Sequence, residues 1–180
     1  MEDTDLERCR PEYDVLIRED LAWLGLTWDG PIHRQSQHIA SYNSRLEALE
    51  GKDLLYPCSC TRSDIRSALA APQEGVAFNV YPGTCRKRRL ESRKPGDALR
   101  LNLADLSFPE TGPAHAGQHR FDHDQALSQI GDVALSRKGE NIVAYFLASA
   151  FDDADQGVTH VIRGKDLFDF TPVQVILQHL

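Results

Sequence analysis

Gly157-Val158-Thr159-His160-Val161-Ile162-Arg163-Gly164 is the stretch on which the fold turns. Its centre is rich in β-branched residues and bounded by glycines, which predicts a buried strand over Val158-Thr159-His160-Val161-Ile162. Upstream, residues 141–154 are mostly apolar and predict a buried helix, preceded by a strand-like segment at 131–137 and a turn at Lys138-Gly139-Glu140. Downstream, Thr171-Pro172 offers an N-cap and a first-turn proline for a helix running to Leu180. Helix, strand and helix in succession predict a parallel α/β layer. Arg163, just past the strand, stands where open α/β sheets place ligand sites, and a guanidinium there suits a carboxylate. An ion pair with Asp152 or Asp153 is the plainer alternative, since a buried arginine is seldom left unpaired. Tyr145, on the apolar helix, reads by itself as a core residue.

Toward the N-terminus, Pro11 suits a first helical turn, and Tyr13, Leu16, Ile17, Leu21 and Leu24 follow at helical spacing, with Gly25 as the stop. Trp28-Asp29-Gly30-Pro31 is a turn, and Ile39, Tyr42, Leu46 and Leu49 predict a second amphipathic helix ending at Gly51. Leu54-Leu55-Tyr56 is a short apolar run. Thr61 and Asp64 have the form of a capping box for a short helix carrying Ile65 and Leu69. Residues 71–97 contain Pro72, Gly75, Pro82, Gly83, Pro95 and Gly96 and predict a loop-rich subdomain. Leu99, Leu101 and Leu103 alternate as a strand does, and residues 108–117 break into turns.

The chain has 180 residues, 41% hydrophobic and 26% charged, enough for one compact core and far from collagen-like, disordered or coiled-coil composition. Residues 142–151, the most apolar stretch, are about half of the roughly 20 residues a bilayer crossing needs. Met1-Glu2-Asp3-Thr4-Asp5 is acidic where a secretory or transit peptide is basic or apolar, so a cytoplasmic protein is expected. The net charge of −7 argues against a wholesale nucleic-acid coat, but residues 84–100 carry seven Lys or Arg against Glu91 and Asp97. Within them Arg86, Lys87, Arg88 and Arg89 form a basic run suited to a phosphate backbone, with a solvated charge run as the equal alternative.

Four cysteines are too few for a secreted disulfide scaffold, and three fall in 28 positions, Cys58, Cys60 and Cys85. Zinc favours thiolates in a closed tetrahedral shell, and an oxygen or nitrogen donor such as the Tyr81 phenol would complete it. Such an ion would staple a segment too poor in apolar residues to fold alone. Cys9 is left over. His115, His119 and His123 have the spacing of a helical metal face, but Gly112, Pro113 and Gly117 interrupt it, so they read as solvated loop histidines.

Taken together, Glu2-Asp3-Thr4-Asp5, Trp23-Leu24-Gly25-Leu26, Trp28-Asp29-Gly30, Gln35-Ser36, Tyr56-Pro57-Cys58-Ser59-Cys60-Thr61-Arg62, Tyr81-Pro82-Gly83-Thr84-Cys85-Arg86, Ala144-Tyr145, Asp152-Asp153 and residues 157–164 resemble, in order, the glutamyl-queuosine tRNA(Asp) synthetases. The resemblance covers nearly the whole chain. It implies a partial class I, Rossmann-type α/β catalytic core at residues 1–53 and 137–180, divided by a zinc-stapled insertion at 54–136. It further implies that glutamate is activated with ATP and Mg²⁺ to glutamyl-adenylate and esterified to the cyclopentene-diol of queuosine in the anticodon of tRNA(Asp). Glu2, Tyr145 and Arg163 match the family's glutamate-binding positions, and Cys58, Cys60, Tyr81 and Cys85 its zinc ligands.

The family's HIGH-type and KMSKS-type ATP-binding signatures do not occur between Met1 and Leu180, and no phosphate-binding Gly-x4-Gly-Lys-Ser/Thr loop stands in for them. Residues 1–180 by themselves are therefore expected not to form adenylate. A monomer is expected. Two alternatives stay open: a glutamyl-tRNA synthetase acting on tRNA(Glu), disfavoured because this length leaves no room for an anticodon-binding domain, and a non-catalytic zinc- and RNA-binding fragment.

Overall fold

A computed structural model describes residues 1–5, 7–69, 80–106, 123–136 and 143–180. Eight regular elements follow one another: α1 (Pro11–Trp23), α2 (Ile39–Glu50), β1 (Leu55–Cys58), α3 (Arg62–Leu69), β2 (Ala98–Leu101), α4 (His123–Gln129), α5 (Tyr145–Asp155) and α6 (Thr171–His179). Short 3₁₀ turns lie at Gln35–Gln37, Leu90–Ser92, Leu103–Asp105 and Lys165–Phe170.

The local signals act where they were read. Pro11 occupies the first turn of α1, and Gly25, at φ +75°, takes the left-handed conformation that stops it. Thr61 and Asp64 close a capping box, Thr61 N–H donating to Asp64 Oδ2 at 2.7 Å and Asp64 N–H to Thr61 Oγ1 at 3.1 Å. Helix α2 buries Tyr42, Leu46 and Leu49 as its periodicity requires.

β1 and β2 pair antiparallel with Leu55 opposite Leu101 and Cys58 opposite Ala98. Residues 131–136 lie along the far side of β2, Leu101 N–H donating to Val133 O at 3.0 Å and Leu135 N–H to Leu99 O at 2.8 Å, although they form only isolated bridges rather than the predicted strand. Gly131 sits at φ +67°, and a Cβ there would come within 2.6 Å of Val80 Cγ1, so the backbone of 80–81 passes this point only against glycine.

The main core is continuous. Tyr42, Leu46 and Leu49 of α2 meet Leu99 and Leu101 of β2, Leu135, and the facing surfaces of α5 and α6 through Leu147, Phe151, Val173 and Leu177. Each large side chain so buried contributes roughly 1.5–3 kcal/mol. A second, smaller cluster gathers Tyr56, Cys58, Tyr81 and Cys85, with Cys60 and Ile65 against it.

Three expectations are corrected. Val158-Thr159-His160-Val161-Ile162 is not a strand and is not buried: no ladder forms along it, and Ile162 is 99% exposed. Consequently the described residues contain no parallel sheet, only the two-stranded antiparallel one and a single parallel bridge between Tyr81 and Gly131. Helix α1 forms where its spacing predicts it but buries nothing, with Tyr13, Leu16 and Ile17 about half exposed and Trp23 84% exposed. Thr171 is the first residue of α6 rather than its N-cap; its hydroxyl donates to Phe168 O and accepts from Arg163. The turns predicted at 108–117 and 138–140, and His115 and His119, lie outside the described residues. Among the described residues no helix is long and apolar enough to cross a membrane.

Candidate active site and metal centre

Cys58 ends β1, Cys60 follows two residues later, Tyr81 and Cys85 stand on either side of Pro82-Gly83, and the four side chains gather in one cluster. The three Sγ atoms lie within 4.8 Å of one another, with Cys60 and Cys85 3.6 Å apart. In a tetrahedral shell with Zn–S of about 2.3 Å, neighbouring sulfurs stand ~3.8 Å apart, so the cluster already has the dimensions of a metal shell. The Tyr81 phenol oxygen completes the face, 3.4 Å from Cys58 Sγ and 3.8 Å from Cys60 Sγ, and is aimed there by the Cys85 N–H, which donates to it at 2.8 Å. Burial pushes the Cys60 thiol upward. Burial opposes ionisation of Cys85 too, but hydrogen bonds from Tyr81 and the Ser59 backbone outweigh it and bring that thiol down. The cysteines are all free thiols.

A buried carboxylate fastens this cluster to the body. Asp132, with no exposed side-chain surface, accepts from Tyr56 Oη at 2.5 Å, Arg86 Nε at 2.6 Å and Leu103 N–H at 3.0 Å. Every partner is a donor, so the amide of Asp132→Asn points its NH₂ at one of them in either orientation. That substitution is expected to destabilise by about 1–3 kcal/mol, the cost of an unsatisfied buried hydrogen-bonding group, in denaturant unfolding. An unchanged midpoint would show the contacts to be dispensable.

The basic run divides by alternation. Arg86 is spent on Asp132, and Arg88 donates to Ser59 Oγ at 2.7 Å, Asp97 Oδ2 at 2.8 Å and Ser92 O at 2.7 Å. Lys87 and Arg89 face solvent, Arg89 near the exposed Glu91. Burial works against the Asp97 carboxylate, but the Ser59 hydroxyl, the Lys94 N–H and Arg88 hold it down at about 2. Because the folded value lies below the ordinary one near 3.9, its contribution is complete above about pH 4 and is lost as pH falls through about 2. The melting-temperature gap between the wild type and Asp97→Asn should accordingly close on acidification across that window. A constant gap would refute the assignment.

The second site is a cavity of about 680 Å³ between the N-terminal segment, α1, α5 and residues 161–163. Glu2, Tyr145 and Arg163 all line it, as do Trp28, Ser149 and Gln174. Tyr145 opens α5 and faces the cavity rather than the core, while Arg163 is braced by α6, its Nη2 donating to Thr171 Oγ1 at 2.6 Å. No ion pair between Arg163 and Asp152 forms. Asp153 feels Arg163 at longer range: burial raises its carboxyl and the Arg163 charge partly offsets that. Ser149, Gln174 and Asp132 carry no local pattern that marks them as site residues; the pair Asp152-Asp153 after an apolar run was the one visible signal.

The whole chain, residues 1–180, matches the family described as tRNA synthetases class I (E and Q), catalytic domain. It is 44% identical over its full length to the glutamyl-Q tRNA(Asp) synthetase of Rhodobacter capsulatus, covering 68% of that protein, and 38% identical to that of Nitratidesulfovibrio vulgaris, covering 58%. The chain thus spans little more than half to two thirds of these curated relatives. Among solved structures, a glutamate tRNA ligase from Elizabethkingia meningosepticum in complex with its amino acid superposes with a TM-score of 0.73 at 22% identity, over 99% of this chain and 39% of that one. The fold is therefore part of a class I synthetase core, and the chain belongs to the class I tRNA synthetase (E and Q) catalytic-domain family.

Proposed function

We propose that residues 1–180 supply the amino-acid pocket and the insertion of a cytoplasmic, monomeric ligase that activates glutamate with ATP and Mg²⁺ and transfers it to queuosine in tRNA(Asp). The observation that carries the reading is that Glu2, Tyr145 and Arg163, far apart in sequence, line one cavity. A cation braced by α6 meets the γ-carboxylate, while the Glu2 carboxylate and Tyr145 hydroxyl are left for the ammonium and remaining polar atoms. In the reaction a glutamate carboxylate oxygen bonds to the α-phosphorus of ATP and pyrophosphate leaves; a queuosine hydroxyl then takes the glutamyl group and AMP leaves. These residues bind and orient, and acyl transfer from so activated a group depends chiefly on such positioning.

In the same proposal zinc is held by Cys58, Cys60, Cys85 and Tyr81, ties residues 54–136 together as an insertion between the parts of the core, and takes no part in the chemistry. Lys87 and Arg89 are the basic side chains left facing solvent for a phosphate backbone, Arg86 and Arg88 shaping the turn that presents them. The glutamyl-Q tRNA(Asp) synthetase names of the relatives favour queuosine-bearing tRNA(Asp) over tRNA(Glu).

The test is a titration of residues 1–180 followed by NMR. Glutamate is expected to bind with a preference of ~10²-fold over glutamine, whose amide leaves the arginine unpaired. Glutamate-dependent exchange of pyrophosphate into ATP is not expected, because no HIGH-type or KMSKS-type signature occurs within these residues. Equal binding of the two amino acids, or none, overturns the assignment of the pocket.

A further inference from the structure

Residues 33–36 connect three parts of the molecule by alternation. Arg34 Nη2 donates to Asp14 Oδ2 of α1 at 2.7 Å, and Ser36 donates to Asp3 through its N–H at 2.9 Å and its hydroxyl at 2.6 Å. The odd positions turn the other way. His33 Nε2 lies 3.0 Å from Asp152 Oδ1 and Gln35 Nε2 donates to Asp152 Oδ2 at 2.8 Å. Tyr42 Oη of α2 donates to Asp152 Oδ1 at 2.5 Å. One buried carboxylate on α5 thus receives every side-chain hydrogen bond that this loop sends to that helix.

The geometry points to Asp152 as a positioning residue of the cavity, latching the segment that carries Glu2 onto the helix that carries Tyr145. This inference rests on the glutamate reading for its consequence but not for its geometry. Glu2 is followed by Asp3, which is fixed by Ser36, and Gln35 N–H donates to Met1 O at 3.1 Å, so the loop holds both sides of Glu2. Tyr145 and Asp152 are about two helical turns apart on α5. Without the latch the two walls of the cavity lose their common reference, and the acid at Glu2 no longer stands at a fixed distance from Tyr145 and Arg163. Asp152 touches no reacting atom in this scheme.

The acceptor pattern makes the latch separable from charge. In Asp152→Asn, Oδ1 still accepts from Tyr42 and His33, while the new NH₂ meets Gln35 once that side-chain amide turns its oxygen inward. Asp152→Asn is therefore expected to behave as the wild type, and Asp152→Ala to release the loop.

The experiment follows amide hydrogen exchange and glutamate titration of residues 1–180 in parallel. In Asp152→Ala the Gln35 and Ser36 amides should exchange at least roughly tenfold faster while Val173, Ile176 and Leu177 of α6 keep their rates, and glutamate should bind at least roughly tenfold more weakly. Asp152→Asn should restore both. Should Asp152→Ala fail to fold, Gln35→Met removes one donor at similar volume and should accelerate the same amides. Unchanged exchange at Gln35 and Ser36 in the folded variants overturns the latch. Acceleration there with wild-type glutamate affinity overturns the positioning role, and absence of glutamate binding by the wild type counts against the pocket while leaving exchange to decide the latch.

Discussion

One equivalent of zinc is expected in protein purified without chelator, and Cys60→Ser is expected to lose it. The cluster has three sulfurs within 4.8 Å and a phenol oxygen directed at them, and no other group of metal-binding His, Cys, Asp or Glu side chains occurs among the described residues. Closed thiolate sites in small zinc domains have apparent binding free energies of roughly 10–16 kcal/mol, most of which appears as folding free energy. Removal of the ion should therefore loosen the turn that holds Tyr81 and Cys85 far more than α5 and α6, whose contacts are apolar and lie in the other cluster. Elemental analysis gives the stoichiometry, and amide exchange after chelation shows where order is lost. Protein with no zinc, or full retention by Cys60→Ser, would remove the site. Uniform loosening of α5 and α6 would show instead that the cluster supports the whole body.

What could be read from the sequence was local. Helix α2, the capping box at Thr61 and Asp64, and the thiol cluster were legible because each is set by residues a few positions apart or by a residue type too rare to gather by accident. Residues 158–162 were misread because a β-branched run records a preference for lying beside another strand, and none pairs with it among the described residues. The apolar stripe of α1 marked the helix correctly without saying what lies against it: periodicity identifies a face that prefers burial, not the surface that buries it.

Two of the buried carboxylates, Asp152 and Asp132, were illegible for a different reason. Asp152 takes its partners from 110 to 119 positions away and Asp132 from 29 to 76, so no window of sequence contains the donors that make either burial tolerable. Glu2 and Tyr145 were accessible only by resemblance. Taken alone, Tyr145 read as core, while Arg163 read either as a cation for a ligand carboxylate or as an ion-pair partner, and the structure seats both on the cavity wall with Glu2.

Arg163→Ala is expected to weaken glutamate recognition by roughly 2–5 kcal/mol, the range for removing one partner of a buried charge pair. In the glutamate reading the arginine is prepared for a carboxylate before any ligand arrives. Thr171 Oγ1 accepts from Arg163 Nη2 at 2.6 Å and donates its own hydrogen bond to Phe168 O, so part of the fork is held by α6 while Arg163 lines the cavity. Removing the guanidinium leaves the ligand carboxylate facing Asp153, whose burial-raised carboxyl also loses the cation that offsets its desolvation. Arg163→Lys keeps the charge but gives up the planar fork, and is expected to recover only part of the affinity. Glutamine binding, which never used the charge, should change far less than glutamate binding, so selectivity collapses rather than both affinities falling together. The measurement is a pair of titrations, glutamate and glutamine, on wild type, Arg163→Ala and Arg163→Lys, with α6 amide exchange confirming that the brace at Thr171 has not unfolded. Unchanged glutamate affinity in Arg163→Ala would make Arg163 a structural partner of Thr171, and an equal loss for both amino acids would make it a packing element of the cavity wall.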